Sequence, residues 1–204
     1  MNTRQKTPRR GSWGKNRLLW ARMISRISEP LIWLPLMIWL VVRHVDLPEA
    51  EQAAYYPLLL LFVFVIPFGY FMYLVFIKKE FDLDVTQRKK RVAFTLKSMV
   101  SFAVAVVLTF FMDRELFFIT LAVFLSTLSL VLITIRWKIS FHGGLNTLIF
   151  CTVNYIYDWA YFWLFLLLIP ISWSRLVMKK HNLAQVVAGI TLCAAIFFLV
   201  TRPV

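Results

Sequence analysis

Apolar blocks alternate with short polar segments along this chain, at about 31–43, 56–77, 93–112, 115–135, 144–156, 159–171 and 184–201. The blocks are continuous and lack the strict alternation of a barrel strand, so each predicts a helix. The longer ones match the roughly 20 residues that carry a helix through a bilayer. After the first block comes RHVDLPEAEQ, with Pro48 and three acids, which suits an outer face. The second block leads into KKEFDLDVTQRKKR, dense in lysine and arginine, which suits the cytoplasm. The tight polar turn MDRE joins the third and fourth blocks into a helical hairpin, and the chain then returns to RWKISFHGG.

The interval from Gly143 to Trp173 decides the topology. It holds about 31 residues, too few for two full spans and too many for one straight crossing. Asn154 and Asp158 in NYIYDW are turn residues, so the interval predicts two short helices folded back on each other. A helix of about 14 residues covers roughly 21 Å, short of a 30 Å core. Such a hairpin returns RWKISFHGG and WSRLVMKKHNLAQ to one face, where the polar segments 78–92, 136–144 and 173–185 gather. The expected fold is all-α: a polytopic transmembrane helix bundle of six to seven membrane segments, the short hairpin included. Residues 1–30 form a basic cytoplasmic or interfacial segment, and 31–204 form the transmembrane domain.

Composition agrees with this picture. The 204 residues are 60% hydrophobic, with mean hydropathy +0.72, against roughly 45–50% apolar in soluble domains. The formal net charge is +13. Arg4, Lys6, Arg9, Arg10, Lys15, Arg17, Arg22 and Arg26 crowd the first 30 residues against one acid, Glu29. That density suits anionic lipid headgroups better than nucleic acid. Arg17, Leu18, Leu19, Trp20, Met23, Ile24 and Ile27 outline an interfacial amphipathic helix, to which no chemistry is assigned. No cleavable signal peptide is expected, since the basic region is long and no small-residue cleavage pattern follows the first block. Cys151 and Cys193 lie in apolar blocks as core thiols. Trp33, Trp39, Trp137, Trp159 and Trp173 suit interfacial anchors, and Lys97 snorkels.

Candidate chemistry is confined to the gathered segments. His44 stands apart in the outer turn. His142 has Lys138, Ser140, Gly143 and Gly144 for company; His181 has Ser174, Arg175, Lys179, Lys180 and Gln185. Two imidazoles among fixed cations describe a phosphoryl-transfer site. Arginine and lysine neutralise non-bridging oxygens, and Ser140 with the Gly143 and Gly144 amides can donate further hydrogen bonds. One histidine attacks phosphorus while the other protonates the leaving oxygen and then activates water. Gln185, one helical turn beyond His181, can hold the far nitrogen of that ring through its carbonyl oxygen. Asp82 and Asp84 could serve a metal, but capping the next helix and pairing with its arginines accounts for them more simply.

Ser174-Arg175, five residues, His181, three residues and Gln185 resembles the third motif of the type 2 phosphatidic acid phosphatase superfamily, Ser-Arg-x5-His-x3-Asp. Ile139-Ser140-Phe141-His142 resembles its second motif, Pro-Ser-Gly-His. DLDVTQRKKR (82–91) sits where the first motif, Lys-x6-Arg-Pro, belongs; Arg91 matches the arginine, whereas Asp84 and Val92 stand at the lysine and proline positions. The resemblance implies a membrane lipid-phosphate phosphatase with His181 as nucleophile and His142 as general acid. Ser140, Arg175 and Arg91 would hold the phosphate, and neither metal nor cofactor is implied. Gln185 departs from the family carboxylate. Lys138 can supply the cation missing at Asp84, and Arg88 can act with Arg91 from one helical face. The expected substrate is a phosphorylated glycerolipid or a polyprenyl phosphate or diphosphate. The rivals are a lipid phosphotransferase with the same site and a silent relative that binds or moves anionic lipid. A bacterial inner or plasma membrane, with the N-terminus and site facing the cytoplasm, is the expected location.

Overall fold

The computed structural model describes residues 12–78 and 88–202, with the side chains of 12–15, 88, 89 and 91 outside that description. Helix α1 (Ser12–Ile27) stops just before Pro30, which opens α2 (Pro30–His44). Proline has no N–H and pushes its predecessor out of the helical region, and Glu29 is accordingly extended at φ −67°, ψ 114°. After the 45–48 turn come α3 (Glu49–Leu60) and α4 (Ile66–Met72), joined by a π-helical turn, Leu61–Val65, and followed by another, Tyr73–Ile77. Pro67 accounts for the first of these turns. The Ile66 N–H bonds to the Leu61 carbonyl, and the next donor in register would be the missing N–H of Pro67, so the Phe62 carbonyl is orphaned. Ser101 of α5 (Arg88–Met112) donates to it at 2.5 Å.

Asp113 alone separates α5 from α6 (Arg114–Arg136). Its carboxylate accepts from the Leu116 N–H at 2.8 Å and caps the new helix. The expected short hairpin is α7 (Phe141–Ile156) followed by a 3₁₀ turn, Phe162–Leu167, that runs into α8 (Leu168–Val177). Its bend sits at residues 157–161, where Asp158 and Trp159 adopt left-handed backbone, φ 47° and 63°. That conformation is costly for tryptophan, and Asn154 holds it: its side chain donates to the Phe150 and Tyr161 carbonyls at 2.9 and 3.2 Å. The last helix is α9 (Leu183–Thr201).

Among the described residues five helical stretches are long and apolar enough to cross a membrane: Asn16–His44, Glu49–Ile77, Val92–Met112, Arg114–Arg136 and Leu183–Thr201. Outward-facing Val100, Phe110, Phe111 and Leu199 are exposed, as lipid-facing side chains would be. Helix α7 covers about 24 Å, and its bend reaches the far end of α9, where Trp159 stacks on Phe198 at 5.3 Å. Ile156 shares a buried cluster there with Val42, Val45 and Leu116. The turns at 45–48, 113 and 157–161 therefore share one end of the bundle, and those at 28–29, 137–140 and 178–182 share the other.

At that second end α7 and α9 nearly touch. A Cβ on Gly189 would lie 2.5 Å from the Ser140 carbonyl oxygen, and one on Gly144 only 2.7 Å from Cys193 Sγ. Cys151 and Cys193 are free thiols in one buried cluster with Leu130, Leu148 and Phe197.

Candidate active site

Two loops meet beside this close crossing. Past the end of α6, Ser140 takes the N-cap position of α7 (φ −85°, ψ 103°), and its Oγ accepts from the Gly143 N–H at 3.2 Å. The Ser140 N–H donates to the Gln185 carbonyl at 3.0 Å, which ties this loop to the first turn of α9. His142 is thereby fixed in the opening turn of α7. Ser140 is fully buried, and both it and the Gly143 amide spend hydrogen bonds on the cap.

Lys179, left-handed at φ 54°, ends α8, and the Lys180 N–H returns to the Arg175 carbonyl at 3.1 Å. Two residues on, Asn182 opens α9 with a reciprocal cap: its Oδ1 accepts from the Gln185 N–H at 2.9 Å, and Gln185 Oε1 accepts from the Asn182 N–H at 3.1 Å. His181 is clamped between these two helix ends. Its Nδ1 faces the Lys138 carbonyl at 3.4 Å, an acceptor that calls for Nδ1–H and leaves Nε2 with a lone pair. Burial first, then the Arg175 guanidinium and the Lys138 ammonium, lower its pKa from 6.5 to about 4; the Lys138 carbonyl and the Gln185 side chain oppose the shift. His181 is thus a neutral imidazole beside two cations.

Arg175, in the last turn of α8, reaches Ser25 Oγ of α1 with Nη1 at 2.6 Å. Its charge acts on both imidazoles, and His181 acts on His142. His142 is buried, with Nε2 3.0 Å from Ser28 Oγ and Nδ1 3.7 Å from Glu29 Oε2. Asn146 fastens that junction, donating to the Ser28 and His142 carbonyls at 2.9 and 2.7 Å.

The N-terminal helix, to which the sequence assigned no chemistry, lies against this cluster. Helix α1 packs along α8, with Arg17 over the Trp173 ring at 5.9 Å, and its end supplies Ser25, Ser28 and Glu29 to the site. The physical reason is a strip of small residues spaced four and three apart, Ala21 and Ser25 in α1 and Ser28 just past its end. Ala21 and Ser25 are buried, whereas Leu19, Trp20, Met23 and Ile27 face outward. That strip was the signal available in the sequence.

The structure therefore assembles His142, His181, Arg175, Lys138 and Gln185 at one place, with Ser140 and Gly143 in the backbone frame beneath them. Ser174 is buried and donates to the Ile171 carbonyl of its own helix at 2.7 Å. Arg88 and Arg91 fall in the first turn of α5 with side chains outside the description, and Asp82 and Asp84 lie outside the described residues altogether. Lys97 sits over the Tyr70 ring at 6.0 Å. Among the described residues no group of three or more His, Cys, Asp or Glu side chains could hold a metal ion. No family model matches the chain, and neither does any curated protein or solved structure.

Proposed function

We propose that the chain is an integral-membrane lipid phosphatase that hydrolyses a phosphomonoester or diphosphate of a glycerolipid or polyprenyl lipid through a phosphohistidine. The observation that carries this reading is the His181 ring, its Nδ1 directed at the Lys138 carbonyl at 3.4 Å and its pKa lowered by burial and then by Arg175 and Lys138. Histidine Nε2 attacks phosphorus while the two cations neutralise the non-bridging oxygens. His142, under the same guanidinium, protonates the departing oxygen and later takes a proton from the attacking water. Arg88 and Arg91 would add phosphate contacts from the start of α5. The headgroup enters at the polar end of the bundle while its tails stay in the bilayer.

That end holds Arg136, Lys138, Arg175, Lys179 and Lys180 with Glu29, whereas the other holds Asp46, Glu49, Glu51, Asp113, Glu115 and Asp158 against Arg43, Arg114 and Arg202. The asymmetry supports a cytoplasmic site in a plasma or bacterial inner membrane.

The test uses purified full-length protein in mixed micelles containing a metal chelator. Phosphatidic acid, phosphatidylglycerophosphate and polyprenyl phosphates and diphosphates are offered in turn. Phosphate release is expected from at least one of them, and its loss in both His181→Ala and His142→Ala. Release unchanged in both variants, or tight binding of every lipid with no release, would overturn the assignment.

A further inference from the structure

Three side chains at the α1–α2 junction and the start of α7 form a line: the Glu29 carboxylate, the His142 imidazole and the Ser28 hydroxyl. Glu29 Oε2 lies 3.7 Å from His142 Nδ1, and Ser28 Oγ lies 3.0 Å from His142 Nε2. The Ser28 hydroxyl donates to the Ile24 carbonyl at 2.7 Å, so its oxygen is left to accept from Nε2–H. Both ring nitrogens of His142 thus face acceptors. An imidazolium satisfies both at once; a neutral ring leaves one lone pair aimed at an oxygen. Burial first, then the Arg175 guanidinium and His181, oppose that second proton, and the Ser25 backbone carbonyl favours it. A phosphate between the two groups would offset the part of that opposition that comes from charge.

Resting on the phosphatase reading above, we propose that Glu29, His142 and Ser28 form the proton relay of this site, with Ser28 as the group that touches the leaving oxygen and Glu29 as a positioning residue. In the first step the His181 Nε2–P bond forms and the P–O bond to the lipid breaks. The departing oxygen takes the Ser28 hydroxyl proton, and Ser28 takes the Nε2 proton of the His142 imidazolium. In the second step water attacks phosphorus and the P–N bond breaks. One water proton goes to Ser28, whose own proton returns to His142. One water and one ester become one alcohol and one phosphate. Carboxylate, imidazole and hydroxyl in this order set the tautomer of the ring and the direction of proton flow. The carboxylate that position 185 lacks is supplied from another helix, and to the other histidine.

Leaving-group chemistry tests the relay on the full chain. p-Nitrophenolate departs without a proton, whereas an alkoxide needs one. In Ser28→Ala, first-turnover alcohol release from dodecyl phosphate should fall about 10²-fold, the low end for a lost general acid, with KM unchanged. The first equivalent of p-nitrophenolate from p-nitrophenyl phosphate should appear at nearly the wild-type rate, followed by slow turnover. Ser28→Thr should restore dodecyl phosphate cleavage, and Glu29→Gln should follow Ser28→Ala in a milder form. Equal losses on the two substrates, or no loss on either, would overturn the relay. His181→Ala separates the two ideas: silence on both substrates upholds the phosphatase reading whatever Ser28 does. Wild-type rates in that variant would sink the phosphatase reading, and the relay with it.

Discussion

Each end of the bundle brings histidine to a carboxylate, and the two pairs differ in burial and in company. At one end His44 and Glu115 meet at 3.2 Å, side chains 35% and 25% exposed, fastening the end of α2 to the start of α6. Arg43 beside them donates to Gln52 at 2.9 Å. These are clasps between turns, open to solvent and complete without a ligand. At the other end His142 is buried, its carboxylate is more distant, and Arg175 and His181 press on it electrostatically. Arg175 bears on both imidazoles and Lys138 on His181, after burial, so the ring pKa values fall together. The contrast is between an exposed clasp and a buried cluster of perturbed titratable groups, the kind of cluster on which the proposed function rests.

The comparison breaks most readily by exchanging the histidines for alanine. His142→Ala should cost about 10²- to 10⁴-fold in lipid phosphate hydrolysis, the span for a removed acid–base group. His44→Ala should leave that rate within about twofold and cost about 0.2–1 kcal/mol of stability, as exposed ion pairs do. Phosphate release and thermal unfolding in detergent report the two quantities. Comparable activity losses in both variants would erase the distinction between the ends.

Much of this layout was visible in the order of residues. Continuous apolar blocks predicted the spans, and the shortage of residues between Gly143 and Trp173 predicted the hairpin that closes at Asn154. What escaped was whatever depended on a neighbour distant in sequence. Ser25 and Ser28 lie about 150 and 114 positions from Arg175 and His142, and only the packing of α1 on α8 makes them part of the site. Gln185 was read as a substitute for a carboxylate, whereas its carbonyl oxygen also serves the local box with Asn182, legible as Asn-x-x-Gln before an apolar run. The π-helical turn before Pro67 needed Ser101 of another helix to satisfy it. Local chemistry is written in short stretches; which stretches meet depends on the summed packing of the bundle.

Two of the helix caps, one at each end, sharpen the contrast at a smaller scale. Asp113 caps α6 at the clasp end, and Asn182 caps α9 at the site. Alanine at either should cost about 1 kcal/mol of stability. Only Asn182→Ala also frees Gln185 and the residue just before the cap, His181, so phosphate release should fall about tenfold there and hold in Asp113→Ala, a loss of roughly 1.4 kcal/mol in transition-state binding. Parallel activity and melting losses in the two variants would mean that the cap beside His181 does nothing beyond hold a helix.

The smallest effect expected is a displacement along the pH axis. An ordinary imidazole loses its neutral form as pH falls through about 6.5, whereas His181 does so near 4. Because the folded value is depressed, the unfolded chain binds the extra proton first. The stability contributed by a neutral His181 is complete above about pH 6.5 and drains away as pH falls toward 4. Diethylpyrocarbonate modifies only the neutral ring, so peptide mass spectrometry should find His181 still reactive at about pH 5, where a free histidine is mostly protonated. Arg175→Gln should move the midpoint upward, and Lys138→Gln should move it less, following the order in which these cations act on the ring. A midpoint near 6.5 in the unaltered protein would show that neither burial nor the cations bear on His181, and the electrostatic contrast between the two ends would be lost.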